Sequence, residues 1–329
     1  MKRFSMSARL GQIILLVGLA GACEGETGPA GPTGPNGPAG TPGNAGPTGA
    51  PGAPGAPGAP GSFAGRTIYG VDAANNLITF GALTPGQRIN SRPITGLATG
   101  ETIVGIDFRP ATDSLFAVSS ASRLYTIDIV SGAAAPVGGG TLTPALAGTN
   151  FGVGFNPQVD RLRIHTDAEQ NLRVNQTASP LVVLVDAPLA YAAGDVNAGR
   201  NPNIVATAYT LSLRPAPTAT ELYAIDSDLD QLVELNAPND GQLTTVGALG
   251  FNTSGDVGFD IAGDTDVGYA TLTPAGTASG ASRLYTINLR NGLASIVGTV
   301  AHPTPLRSIA VAPGAPPVLL RVPVTTPVR

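Results

Sequence analysis

A five-residue apolar motif returns about every 50 residues along this chain. Val104-Gly-Ile-Asp-Phe-Arg-Pro110, Phe151-Gly-Val-Gly-Phe-Asn-Pro157 and Arg307-Ser-Ile-Ala-Val-Ala-Pro313 share it, and Val205-Ala-Thr-Ala-Tyr209 and Val257-Gly-Phe-Asp-Ile261 are looser copies. The last apolar residues of the five copies, Phe108, Phe155, Tyr209, Ile261 and Val311, follow one another at intervals of 47, 54, 52 and 50 residues. A period of that length is one blade of a β-propeller, four strands wide. Between the copies, short runs of Val, Ile, Leu, Tyr and Phe alternate with Gly, Asn, Asp and Pro clusters, and no stretch keeps a 3.6-residue period. Such a pattern is all-β.

Each motif opens a set of four strands. The expected sets are 104–108, 115–118, 123–129 and 134–137; 151–155, 162–165, 171–175 and 181–185; 205–209, 221–225, 231–235 and 242–246; and 257–261, 268–272, 283–289 and 294–299. Two remnants are left over. At the start stand three strands without an innermost one (67–71, 76–80 and 88–94), and at the end an orphan inner strand (308–312). Each completes the other, so the pattern predicts a five-bladed β-propeller closed by the C-terminal strand, which leaves no open edge between blades. A β-sandwich of seven or more strands is the rival, but it explains neither the period nor the matched remnants.

The segment in front of the propeller reads differently. Lys2, Arg3 and Arg9 precede an apolar stretch from Ile13 to Leu19, too short to span a membrane and of signal-peptide length, so residues 1–22 are expected to be an export signal. Leu19-Ala-Gly-Ala-Cys23 resembles a bacterial lipoprotein signal, which implies lipid attachment at Cys23 and a membrane-anchored protein of the cell envelope or surface. Ala20-Gly-Ala22 also fits ordinary signal cleavage at the same bond, and secretion is the alternative. Cys23 is the sole cysteine, so no disulfide can form within the chain.

From Gly25 every third residue is glycine for twelve triplets, ten of which hold a proline. Only glycine fits the axis of a collagen triple helix, so residues 23–65 read as a collagen-like or polyproline II stalk. Extended, twelve triplets reach on the order of 110 Å at ~3.1 Å per residue. A homotrimer built on this run and a single-chain semi-rigid spacer both remain open, because no coiled-coil heptad flanks it. The Pro-rich tail 314–329 is expected to be disordered.

Thr67-Ile-Tyr-Gly-Val71, Gly100-Glu-Thr-Ile-Val-Gly-Ile-Asp-Phe-Arg-Pro110, Arg123-Leu-Tyr-Thr-Ile127, Asp160-Arg-Leu-Arg163, Gln170-Asn-Leu-Arg173, Ala190-Tyr-Ala-Ala-Gly-Asp195 and Asn239-Asp-Gly241 follow one another in order. Together they resemble the bacterial family known as domain of unknown function 4394, over residues 66–313. The resemblance implies a propeller-like fold and brings no activity, substrate or catalytic residue with it.

Function has to be read from the residues. Without residues 1–22 the chain holds 15 arginines against 22 acids, which argues against nucleic acid as a partner. On a propeller, the loops between second and third strands share a face with the blade-to-blade connections. Here they carry Asp72, Asp167, Glu169, Asp228, Asp230 and the long segment 186–203 with Asp195, Asn197, Arg200 and Asn201. Loops on a rigid scaffold host binding sites, so Asp195, Asn197, Arg200, Asn201, Asp228 and Asp230 are the candidate ligand-binding residues, with a plain crossing between blades as the bland reading. Asp226-Ser-Asp228-Leu-Asp230 lacks the glycine and distal glutamate of a calcium loop and reads as a hairpin turn. Asp107 and Asp260 occupy the same place in two inner strands. They are candidates to face the central channel or to bond a neighbouring blade's backbone.

Arg161, Arg163 and Arg173 suggest a basic stripe on one blade, solvated and paired with acids. His165 and His302 are the only histidines and fall in different blades, so neither a transition-metal site nor a cofactor is expected. The leading expectation is a surface-displayed, lipid-anchored binding or adhesion module for an unknown protein or glycan, with no catalytic activity. A structural cell-envelope protein is the alternative, and a hydrolase or lyase using the acidic face is a third.

Overall fold

The computed structural model describes residues 65–276 and 280–314. The export signal, Cys23, the Gly-x-y run and the tail beyond Gly314 lie outside the described residues. Blade 1 joins β1 (Thr67–Asp72), β2 (Asn76–Gly81) and β3 (Thr84–Pro93) to the last strand, β21 (Leu306–Val311), in the order β21-β1-β2-β3. Blade 2 is β4 (Ile103–Arg109), β5 (Ser114–Ser119), β6 (Arg123–Ile127) and β7 (Ala134–Thr141). Blade 3 is β8 (Phe151–Asn156), β9 (Arg161–Thr166), β10 (Asn171–Asn175) and β11 (Val182–Val185). In blade 4, β12 (Ala190–Tyr191) adds a fifth strand outside β13 (Ile204–Tyr209), β14 (Leu222–Asp226), β15 (Gln231–Ala237) and β16 (Gln242–Ala248). Blade 5 is β17 (Thr253–Ala262), β18 (Val267–Pro274), β19 (Arg283–Ile287) and β20 (Ala294–Thr299).

The inner strands contact one another in the order β21, β4, β8, β13, β17 and back to β21, so the ring of five blades is closed. Closure occurs as the matched remnants require. β21 pairs antiparallel with β1, Ile68 opposite Val311 and Gly70 opposite Ile309. Behind the closing strand, His302 Nε2 lies 2.9 Å from Asp72 Oδ2, with both side chains almost fully buried.

Packing explains the recurring motif. Its first, third and fifth residues are apolar except Thr207 and Arg307 and pack between blades; Val257, Phe259 and Ile261, for example, share one buried cluster with Val205, Tyr223 and Ile225 of blade 4. Its second residue is small in every copy (Gly105, Gly152, Ala206, Gly258, Ser308), because the neighbouring inner strand passes directly over it. A Cβ on Gly105 would lie 2.3 Å from Val153, and one on Gly152 would lie 2.7 Å from the Thr207 backbone nitrogen. At Ser308 the hydroxyl takes part in that contact, accepting the Ile106 N–H at 3.0 Å.

Candidate ligand site at the channel mouth

The fourth motif position faces the inner strand of the next blade. It holds Asp107, Gly154, Ala208, Asp260 and Ala310, so two of the five blades place a carboxyl there. Each carboxyl bonds the inner strand of the next blade. Asp107 Oδ2 accepts the Phe155 N–H at 2.6 Å, and Asp260 Oδ2 accepts the Val311 N–H at 2.6 Å, while Asp260 Oδ1 accepts its neighbour Ile261 N–H at 2.7 Å. Both residues thus bond the adjacent backbone, and both line one small cavity.

Both carboxyls are only 8% exposed, and no cation lies within hydrogen-bond reach of either. Burial, together with the charge of Asp260, pushes Asp107 well above the usual carboxylate range, and the Phe155 N–H draws it only partly back. Burial likewise pushes Asp260 up to about 7, against the N–H groups of Val311 and Ile261 and the distant Arg66 charge. Burial thus raises both carboxyls, and each keeps a backbone N–H as its hydrogen-bond partner.

The cavity between them measures about 30 Å³, enough for one or two waters. It widens into a vestibule of about 370 Å³ on the face that bears the loops from first to second strands. The walls are apolar at Pro110, Leu213 and Pro313 and polar at Ser212. Two ion pairs frame the rim, Arg66 with Asp264 and Arg214 with Asp113. Arg66 also donates to the carbonyls of Ala312 and Gly314, which ties the mouth to the residues just after β21. A small concavity with convergent polar groups and shifted carboxyls has the make-up of a ligand site.

The opposite face is organised differently. There Asp195 and Asn197 are engaged inside the fold: Asp195 accepts the Thr245 N–H at 2.7 Å, the Thr245 hydroxyl at 2.8 Å and the Asn197 N–H at 2.8 Å. Burial works against its charge, but these bonds hold the carboxyl below its ordinary range. Asn197 donates to Gln231 at 2.8 Å and to Thr245 at 3.0 Å, so the pair fastens the long segment onto the rim of blade 4, beside the parallel pairing of β12 with β16. Arg200 and Asn201 are exposed, and Asn201 donates to Glu169 at 2.8 Å. Asp228 is exposed and accepts from Asn203 at 2.8 Å; Asp230 takes a left-handed turn position (φ 51°) and accepts the Thr253 N–H at 2.8 Å. Asp226 accepts the N–H groups of Asp228 and Leu229, as a hairpin turn requires. The six candidates are thus spread along this face, and none of them lines the vestibule or its inner cavity.

The basic stripe needs correcting. Arg163 is 2% exposed, not solvated, because β13 and the segment after β15 cover it. Its guanidinium donates to Tyr209 Oη at 2.8 Å, Asp186 at 3.0 Å and Asn239 at 2.8 Å, and Arg173 meets Asp186 from the other side at 2.7 Å. Among the described residues no group of three or more His, Cys, Asp or Glu side chains is placed to hold a metal ion.

No curated protein matches the chain. Among solved structures it is similar to a protein of unknown function from Bacteroides thetaiotaomicron, at 14% identity over 76% of this chain and 64% of that one, with a TM-score of 0.48. It thus spans less than two thirds of that relative's length. Two further matches are an auxiliary nutrient binding protein from the same organism (16% identity, 63% of this chain and 56% of that one, TM-score 0.37) and virginiamycin B lyase from Staphylococcus aureus (13%, 70% and 69%, TM-score 0.35). The family model described as domain of unknown function 4394 matches residues 76–310, from the second strand of blade 1 to the closing strand, and the chain belongs to that family.

Proposed function

We propose that this chain is a binding module held at the cell envelope, with a lipid on Cys23, the Gly-x-y stalk and the propeller as its recognition head. One observation supports a binding role most: the vestibule that narrows onto Asp107 and Asp260. Its volume suits a small molecule or the end of a larger one, such as a terminal sugar or a peptide side chain. An adhesion role follows from the same site presented on a long stalk.

The test is binding of the full mature chain to an array of bacterial and plant polysaccharides and to purified cell-wall fragments. Leu213→Glu, which puts a charge on the vestibule wall, is expected to lower binding at least tenfold. Arg200→Ala on the opposite face should leave it unchanged. The reverse pattern would move the ligand to the 186–203 segment, and equal binding by all three proteins would sink the vestibule assignment.

A further inference from the structure

We propose that blade 2 carries a second binding site, independent of the vestibule, in which Arg123 receives the carboxylate of an acidic sugar, a uronic-acid residue of a polysaccharide. The cleft measures about 420 Å³ and is lined by β6, the outer strand β7 and the segment 96–98 that leads out of blade 1. Arg123 and Tyr125 belong to its wall. Glu101, its side chain only 4% exposed, accepts from Arg123 Nη1 at 2.9 Å and from the Tyr125 hydroxyl at 2.6 Å. The buried carboxylate therefore fixes the guanidinium by one nitrogen and leaves its Nε–Nη2 edge without a partner among the described residues. Two other arginines show what that edge takes. Arg109 sets Nε and Nη2 on the Asp160 carboxylate, and Arg173 sets the same two nitrogens on Asp186, at 2.7 Å each. A side-on fork of this kind holds a carboxylate by two parallel bonds.

Blade 5 repeats the pentapeptide and lacks the site. Arg283-Leu-Tyr-Thr-Ile287 is identical to Arg123-Leu-Tyr-Thr-Ile127, but three residues before the inner-strand motif stands Ser254 where blade 2 has Glu101. Arg283 is exposed, and no carboxylate pairs with it among the described residues. Tyr285 packs on Phe251 instead, with ring centroids 5.1 Å apart. The outer strands differ as well. Between Val137 and Thr141, the partners of Leu124 and Arg123, β7 passes over three glycines, whereas β20 skips a single residue, between Ile296 and Gly298. Gly138 and Gly139 take φ of 74° and 68°, the left-handed region that favours glycine, and nothing lies within 4 Å of the place a Cβ would take on Gly139 or Gly140. Such a bulge re-aims the neighbouring side chain and leaves its own N–H and C=O groups unpaired. Sugar hydroxyls both donate and accept, so they suit bare backbone beside a guanidinium, while Leu97 and Pro136 offer an apolar wall to the C–H face of a ring. A peptide carboxylate would require a pocket for its own side chain, which the glycines do not shape.

Calorimetric titration of the full mature chain with trigalacturonate, with neutral trigalactose and with a tripeptide bearing a free C-terminal carboxylate tests this. Trigalacturonate is expected to bind, and the other two to bind about tenfold more weakly or not at all. Arg123→Lys, which keeps a positive charge opposite Glu101, should lower the affinity for trigalacturonate about tenfold or more, because an ammonium has no fork. Arg283→Lys and the vestibule variant Leu213→Glu should leave it unchanged. Equal affinity for trigalactose would remove the carboxylate from the recognition, and preference for the tripeptide would replace the acidic sugar with a peptide. Either result overturns the proposal, as does no binding of trigalacturonate or wild-type binding by Arg123→Lys. Loss in Leu213→Glu with Arg123→Lys unaffected would assign the sugar to the vestibule instead. Should Arg123→Lys fail to fold, the arginine side-chain NMR signals of the wild type decide: trigalacturonate must shift the Arg123 Nε–H and leave that of Arg283 in place, and an unmoved Arg123 signal refutes the site.

Discussion

Replacing Asp186 with alanine is expected to cost about 3–5 kcal/mol of folding stability, a large share of what a domain of this kind has. The reason lies in how few alternatives the remaining groups have. Asp186 sits between Arg163 and Arg173, its side chain 6% exposed and that of Arg163 3% exposed. Without the carboxylate, Arg163 keeps neutral partners at Tyr209, Asn171 and Asn239, but its charge stays buried with no counter-ion. Breaking one member of a buried pair costs more than the pair contributes, because the survivor's desolvation is no longer offset. Urea unfolding should show a lower midpoint at unchanged slope. The double variant Arg163→Met, Asp186→Leu should recover much of the loss, and a single variant within 1 kcal/mol of wild type would show that water reaches the guanidinium.

Gly152→Ala is expected to destabilise the ring by about 3 kcal/mol, at the upper end for overpacking a core. The added Cβ would run into the Ala206–Thr207 peptide of β13, 2.7 Å from Thr207 N and 2.8 Å from the Ala206 carbonyl carbon. Backbone cannot rotate away as a side-chain tip can, so β8 and β13 must separate along their length. Gly140→Ala provides the control, since nothing lies within 4 Å of the position a Cβ would take. Its effect should stay within about 0.5 kcal/mol. Comparable losses in both variants would mean that the glycine sensitivity is local to each strand and unrelated to blade spacing.

The contrast between these two substitutions tracks what the sequence discloses. The small second position of the motif is visible at every repeat, because all blades face the same steric demand. The period and the matched remnants then yield the blade count and the closing strand without any structural input. Several strand limits shift: β3 begins at Thr84 rather than Arg88 and β17 at Thr253 rather than Val257, both beside register breaks, while β6 and β19 stop at Ile127 and Ile287, two residues short of the expected 129 and 289. The fifth strand of blade 4 escaped notice because Ala190–Tyr191 is two residues long and has no periodicity to detect.

The candidate site was harder to read. Asp107 and Asp260 stood out because they break an otherwise apolar repeat. The rest of the mouth had no such frame: Arg66 and Asp264 are 198 residues apart, and Arg214 and Asp113 are 101 apart. Ion pairs of that separation leave no local spacing for a pattern to reveal. Acidic loops on the opposite face were conspicuous in the sequence, yet Asp195 and Asn197 spend their polar atoms holding a crossover in place. Arg163 misled for the same reason, since alternation with Leu162 and Ile164 cannot show that another blade covers its outward face.

Closure by β21 also fixes when this molecule can become whole. Synthesis runs from the amino end, so the three strands that begin blade 1 emerge first and must wait for a partner made more than 200 residues later. Until the final inner strand arrives, β1 presents an unpaired edge, the kind of surface that recruits stray strands from other chains. The ring therefore cannot mature blade by blade behind the ribosome. Its last step belongs to the finished polypeptide, and any chain cut short before Leu306 is left with that edge open to its neighbours.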